Sequence, residues 1–151
     1  MKWLALALAL VAFQAASSTG RAAEGMIEMT SPHPVAETVE KLTAAVEKAG
    51  AAVAATVDHQ ANAKSVGTDI PATTLVIFGN PKVGTPLIAA NRTVAVDLPV
   101  RVLVYDDGGQ TRMIATAPET LVERHGLDGV DDAVATMRGA IEKLMGAAAA
   151  E

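Results

Sequence analysis

Apolar and polar positions change period several times along this chain, and each change predicts an element. Residues 25–30 alternate, with Ile27 and Met29 on one side and Glu28 and Thr30 on the other, which predicts a short half-buried strand. Ser31-Pro32-His33-Pro34 breaks it. The spacing then becomes helical: Val35, Val39, Leu42, Val46 and Ala49 share one face, and Pro34 suits the first turn. Glu37 and Lys41 stand four apart on the outer face of this helix, and Gly50 closes it. Alternation returns over 51–57 through Val53, Ala55 and Val57, a strand despite the weak strand preference of alanine. The polar run Asp58-His59-Gln60-Ala61-Asn62-Ala63-Lys64 follows, long enough for one or two helical turns before Gly67.

The next stretch organises the rest. Residues 75–78 are an apolar, β-branched run closed by Gly79-Asn80-Pro81, the pattern of a buried strand that stops abruptly. Gly79 and Asn80 can take backbone angles that other residues avoid, and Pro81 prevents the strand from continuing. Thr85 suits an N-cap and Pro86 the first helical position, which predicts a short helix over 87–91. A strand, a constrained loop and a helix N-terminus together can hold an anion or a carbonyl.

Residues 98–105 form another alternating strand, with Val100, Val102 and Val104 on one side and Arg101, Leu103 and Tyr105 on the other; Pro99 places its start or an edge there. Asp106-Asp107-Gly108-Gly109 is a hairpin signal, and 111–117 should pair back. Pro118 opens a helix through Leu121 and Val122 that stops at Gly126. A last helix starts near Val130, with Val134, Met137, Ile141, Leu144 and Met145 as its stripe; Gly146 and the alanines after it are expected to fray. Hairpin-length connections force neighbouring strands antiparallel. The expected fold is therefore α+β, an antiparallel sheet of four to five strands with helices on one face.

Four of these stretches resemble a bacterial and archaeal family known as domain of unknown function 302. They are Asp58-His59-Gln60-Ala61-Asn62-Ala63, the segment from Thr74 to Pro86 with its Phe-Gly-Asn-Pro-Lys-Val-Gly-Thr-Pro core, Asp97-Leu98-Pro99, and Arg124-His125-Gly126-Leu127. The resemblance runs from Met26 to the last helix. It implies a β-α-β4-α arrangement of the TATA-binding-protein-like class, and it implies no established activity. The chain departs from the family at Val104-Tyr105-Asp106, where many members carry Trp, and at Thr93-Val94-Ala95-Val96, which is more strand-like than usual.

The start of the chain has a different purpose. Lys2 precedes an apolar run from Trp3 to Phe13 that is too short to span a bilayer, and small residues follow up to Arg21-Ala22. Residues 1–22 read as a secretory signal peptide and 23–151 as one domain, exported to the periplasm or secreted and without a stable membrane anchor after cleavage. Losing Lys2 and Arg21 moves the formal charge from -5 to -7, and no basic stripe offsets it, which argues against nucleic acid as a partner. The absence of cysteine excludes disulfides and thiolate chemistry. Beyond the leader only Phe78 and Tyr105 are aromatic, too few for stacking platforms.

Candidate chemistry is sparse. Gly79 to Thr85 comes close to a phosphate-binding loop, yet Thr85 and Pro86 stand where Lys and Ser or Thr are needed, and Lys82 lies inside the loop. Asp58 and His59 could be a base and its orienter, or metal ligands; the simpler reading has Asp58 capping the next turn and His59 half exposed. Asn62 lies one helical turn beyond His59. His125 is explained by the helix dipole, His33 reads as a surface loop residue, and Ser65 lacks the context of a nucleophile elbow. The three histidines have no ligand-like spacing, and no metal site is expected.

The ligand-binding candidates are thus Asp58, His59, Asn62, Asn80, Lys82 and Thr85, with no catalytic residue and no cofactor assigned. Two functions follow. The first is a periplasmic small-molecule binding or interaction module acting as a homodimer. The second is an enzyme or metal-dependent protein using Asp58 and His59 near the 79–85 loop. Convergence of the candidates around one pocket favours the second, and dispersal favours the first. Convergence requires residues 60–67 to be helical or a crossover to make the flanking strands parallel, because antiparallel neighbours end at opposite edges of a sheet.

Overall fold

The computed structural model describes residues 24–151; the expected leader over 1–22 lies outside the described residues. In chain order the elements are β1 (Met26–Ser31), α1 (Val35–Lys48), β2 (Ala52–Asp58), α2 (His59–Ser65), β3 (Thr73–Gly79) and α3 (Pro81–Ala90). A 3₁₀ turn (Arg92–Val96), β4 (Val100–Asp107), β5 (Gln110–Thr116), α4 (Glu119–His125) and α5 (Asp131–Ala149) complete the chain. The fold is α+β. Its five strands are ordered β1-β5-β4-β3-β2, and every neighbouring pair is antiparallel. The hairpin between β4 and β5 turns at Gly108 and Gly109, both with positive φ, so the two-residue loop is Gly-Gly and Asp107 pairs with Gln110 at the strand end.

Alternation decides which side chains enter the core. Val76 and Phe78 of β3, Val102 and Val104 of β4, and Met113 and Ala115 of β5 are buried. They meet Leu42 and Val46 of α1 and Met137, Ile141 and Met145 of α5, so the helical and strand periods read from the sequence interlock. Across the other face of the sheet, Val57, Leu75, Leu103 and Ile114 stand opposite one another in register and remain partly exposed.

Several expectations are corrected. The connections on either side of β3 are not hairpins, since α2 separates β2 from β3 and α3 with the 3₁₀ turn separates β3 from β4. α3 begins at Pro81, not beyond Thr85: Asn80 is extended, and its side chain accepts the Lys82 amide at 3.0 Å, so Asn80-Pro81 is the cap and first position. Thr85-Pro86 offers the same pair of signals, but it lies inside the helix already started, where Pro86 only deprives Lys82 of a hydrogen bond.

Gly79 does not adopt a positive φ. Its role is space, since a Cβ there would lie 3.2 Å from Cβ of Pro99. The alanines near the C-terminus do not fray from the helix: α5 continues to Ala149 and Ala148 is fully buried. Finally, Glu37 pairs with Nδ1 of His33 at 3.0 Å and not with Lys41. Lys41 turns to Nε2 of His33 and the Ala150 carbonyl, which makes His33 a tie between the start of α1 and the end of α5.

Candidate ligand-binding site

The six candidate residues split into two groups, and the ladder between β2 and β3 is the reason. Asp58 faces Thr74 and Ala52 faces Gly79. The C-terminal end of β2 therefore lies beside the start of β3, about 20 Å from Asn80 at roughly 3.3 Å per residue. The segment after Asp58 is helical, as convergence required, yet it does not carry Asp58 and His59 to the 79–85 loop. Asp58 acts as the N-cap of α2, its Oδ1 accepting the Ala61 amide at 2.9 Å, while His59 and Asn62 are exposed. Asp58, His59 and Asn62 thus occupy one end of the sheet and Asn80, Lys82 and Thr85 the other.

At that second end lies a groove of about 500 Å³. One wall is the start of edge strand β2, with Ala52 and Ala54. The 79–85 segment supplies Asn80, Gly84 and Thr85, and the chain leading into β4 supplies Ala95, Leu98 and Pro99. Met137 of α5 also lines it. The lining carries no charged side chain, and its polar side chains are Asn80 and Thr85.

Asn80 spends its oxygen on capping α3, and its amide nitrogen reaches only the Gly50 carbonyl at 3.5 Å, which leaves donor capacity toward a ligand. Thr85 is exposed on α3. Lys82 is exposed as well and lies outside the groove lining, beside Asp128 and Asp132 in a second depression. The phosphate-loop likeness of this stretch does not translate into an anion cradle. Pro81 has no amide to offer and Asn80 already occupies that of Lys82.

A polar cluster flanks the groove that the sequence reading did not assemble. His125 closes α4, and its Nε2 lies 2.7 Å from Oδ2 of Asp97 while its Nδ1 lies 3.0 Å from Oγ1 of Thr93. Arg124 donates to the same Asp97 oxygen at 2.9 Å, and Arg101 donates to the Asp97 carbonyl at 3.0 Å. Asn91 caps the 3₁₀ turn through the Thr93 amide and donates to the His125 carbonyl at 2.8 Å. The hydrogen bond from His125 outweighs the opposing effect of burial and, with Arg124 adding to it, holds the Asp97 carboxyl below its ordinary value. The imidazole and carboxylate are 8 % and 17 % exposed.

Asp97 and His125 each stood in a stretch quoted for the family resemblance, but 28 positions separate them and no local spacing links the two. Three of the four quoted stretches (Thr74 to Pro86, Asp97 to Pro99, and the one from Arg124) meet at this end of the molecule, while the fourth, from Asp58, lies at the other.

Comparison with known proteins agrees with this architecture. The family model described as domain of unknown function DUF302 matches residues 27–144. The crystal structure of an uncharacterized conserved DUF302 protein from Bacillus stearothermophilus is similar with a TM-score of 0.76 at 18% identity, covering 83% of this chain and 99% of that one. At that identity the likeness is one of fold. The chain is also 42% identical over 104 residues to proteins named fluoride-specific ion channel FluC 1 from Brucella suis and from Brucella abortus. That match covers 68% of this chain but only 41% and 38% of the two relatives, so the chain spans about two fifths of their length.

Proposed function

This chain belongs to the DUF302 family, and from that premise we propose that it is an exported binding module whose ligand is a small, uncharged, mainly apolar molecule. The groove of about 500 Å³, with two polar side chains and no charged one in its lining, is the observation that carries the reading. A charged ligand would be desolvated there without a partner, whereas an apolar body gains by burial. Asn80 and Thr85 fix one polar end of the ligand, such as a carbonyl or hydroxyl. The separation of Asp58 and His59 from this loop speaks against the alternative in which those residues do chemistry beside it.

The module acts in the periplasm or outside the cell, delivered by the 1–22 leader, and as a homodimer. The partly exposed row of Val57, Leu75, Leu103 and Ile114 is the face on which we place the second copy. Mass spectrometry of the secreted protein should find an N-terminus near Ala23 or Glu24; an intact Met1 on a cytoplasmic protein would refute export. Light scattering should give twice the chain mass, reduced to one chain by Leu103→Glu, and a monomeric wild type would refute the dimer.

The test of the groove is a thermal-shift series with uncharged amphiphiles of increasing chain length. Bound ligand raises the midpoint by mass action. Ala54→Leu, which adds bulk to an exposed lining position on the edge strand, should weaken binding about tenfold while leaving the unliganded midpoint in place. No shift with any member of the series would refute the reading.

The likeness to proteins named as fluoride channels favours a second reading, in which the module serves a membrane channel. A channel crosses the bilayer by helices or a closed barrel, and among the described residues no helix is long and apolar enough to do so. Because the chain spans about two fifths of those relatives, this reading gives the domain an accessory role beside the pore. Fluoride included in the thermal-shift series tests whether the domain senses the ion, and an unchanged midpoint would leave the apolar ligand as the better reading.

A further inference from the structure

We propose that Thr93, His125 and Asp97 form an acyl-transfer site that cleaves carboxylic esters, with Thr93 Oγ1 as nucleophile, His125 as base and Asp97 as its positioning residue. The proton positions follow from the partners. Asp97 is held below its ordinary value by His125 and Arg124 and so offers only acceptors. Its Oδ2 at 2.7 Å therefore places a ring proton of His125 on Nε2. In the neutral ring Nδ1 keeps a lone pair, and Oγ1 of Thr93 lies 3.0 Å from it and 3.0 Å from Oδ1 of Asn91, two acceptors that share the one hydroxyl proton. The threonine hydroxyl is exposed, while the base and its orienter are nearly buried, the arrangement of an activated nucleophile presented to solvent.

The local fold holds the three groups in place from separate elements. Asn91 caps the 3₁₀ turn that carries Thr93 and fastens it to the end of α4 through the His125 carbonyl. The groups facing the ring are Thr93 from the 3₁₀ turn and Asp97 ahead of β4; Arg124 of α4 and Arg101 of β4 are bound to Asp97. With those two cations committed, Arg92 is the charge available to a developing oxyanion, for it is exposed, adjacent to Thr93 and without an ion-pair partner among the described residues.

The chemistry balances without a further reagent. Thr93 Oγ1 adds to the ester carbonyl carbon as its proton passes to His125 Nδ1. The adduct collapses, the bond to the leaving oxygen breaks, and His125 returns the proton to that oxygen. Water then repeats the sequence on the threonyl ester, releasing the carboxylic acid and restoring the hydroxyl. The same 91–99 segment that bears Thr93 also bears Ala95, Leu98 and Pro99 of the groove wall. The acyl group is accordingly apolar, a refinement that rests on the groove reading given above.

The test uses p-nitrophenyl acetate and p-nitrophenyl hexanoate with the full chain. Wild type should release a burst of p-nitrophenolate equal to the protein present, and peptide mapping should find one acetyl group on Thr93. Thr93→Ser should retain the burst and Thr93→Ala abolish it. His125→Gln should slow it at least about 100-fold, the scale of a lost general base. Asp97→Asn should slow the burst and Asp97→Glu should restore it, a recovery that loosened packing alone would not produce. Absence of a burst in wild type, or an equal burst in Thr93→Ala with the label on other residues, overturns the proposal. Acylation of Thr93 by acetate with no preference for hexanoate overturns the apolar-acyl refinement and leaves the Thr93 site standing.

Discussion

Nε2 of His125 and Oδ2 of Asp97 lie 2.7 Å apart, and this contact fastens the segment leading into β4 to the last turn of α4. Because the Asp97 carboxyl is lower in the folded protein than its ordinary value, folding favours its ionised form. The associated stability is fully present above the ordinary aspartate value, about 3.9, and is lost as pH falls through the lower folded value. Denaturation midpoints should therefore drop on acidification below about pH 4, and Asp97→Asn should flatten that part of the curve. At pH 7 the same substitution should cost about 1–3 kcal/mol, because His125 and Arg124 lose a charged partner. Parallel pH curves for the two proteins would show that the contact contributes nothing.

The two glycines of the groove should respond in opposite directions. At Gly79 a methyl group would lie 3.2 Å from Cβ of Pro99, so Gly79→Ala should cost about 1–3 kcal/mol by overpacking. At Gly84, inside α3, the nearest atom is Cδ1 of Leu98 at 3.8 Å, an ordinary contact. Gly84→Ala should be neutral or stabilise by up to about 1 kcal/mol through helix preference. Urea midpoints of the two variants decide the matter, and equal shifts would refute it.

Asp58→Ala should cost about 1 kcal/mol, the usual value of a lost N-cap, whereas His59→Ala should change stability by less than about 0.5 kcal/mol. Neither should alter ligand affinity at the groove, because a strand length separates them from it. A marked loss of affinity in His59→Ala would show that the two ends of the sheet communicate.

Removal of residues 147–151 should lower stability by about 1 kcal/mol or more, since Ala148 is fully buried and the Ala150 carbonyl receives Lys41. A thermal midpoint unchanged by the truncation would mean that the tail is not part of the packed structure.

The elements themselves were legible in the sequence because their causes are local. Strand alternation around Val102 and Val104, the helical stripe from Val134 to Met145, and the turn at Gly108-Gly109 all depend on neighbours within a few residues, and all are present. The family match and the α+β class follow from the same stretches. Where two local signals competed, the sequence was ambiguous. Asn80-Pro81 and Thr85-Pro86 carry equivalent cap-and-proline signals, and the earlier pair starts the helix because Asn80 directly follows the end of β3.

Relations between distant residues were decided only by the tertiary structure. Whether Asp58 meets Asn80 depends on strand register, and antiparallel pairing of β2 with β3 keeps them at opposite ends whatever lies between. Gly79 read as a residue chosen for its dihedral freedom, but it is required by the approach of Pro99, twenty positions away. The pairing of His125 with Asp97 and Thr93 likewise has no short-range signature, since α4 and the 3₁₀ turn are brought together by the sheet and the helices packed on it. Local propensity fixes φ and ψ within a few residues, whereas a site is made by chain segments that only the closed core places side by side.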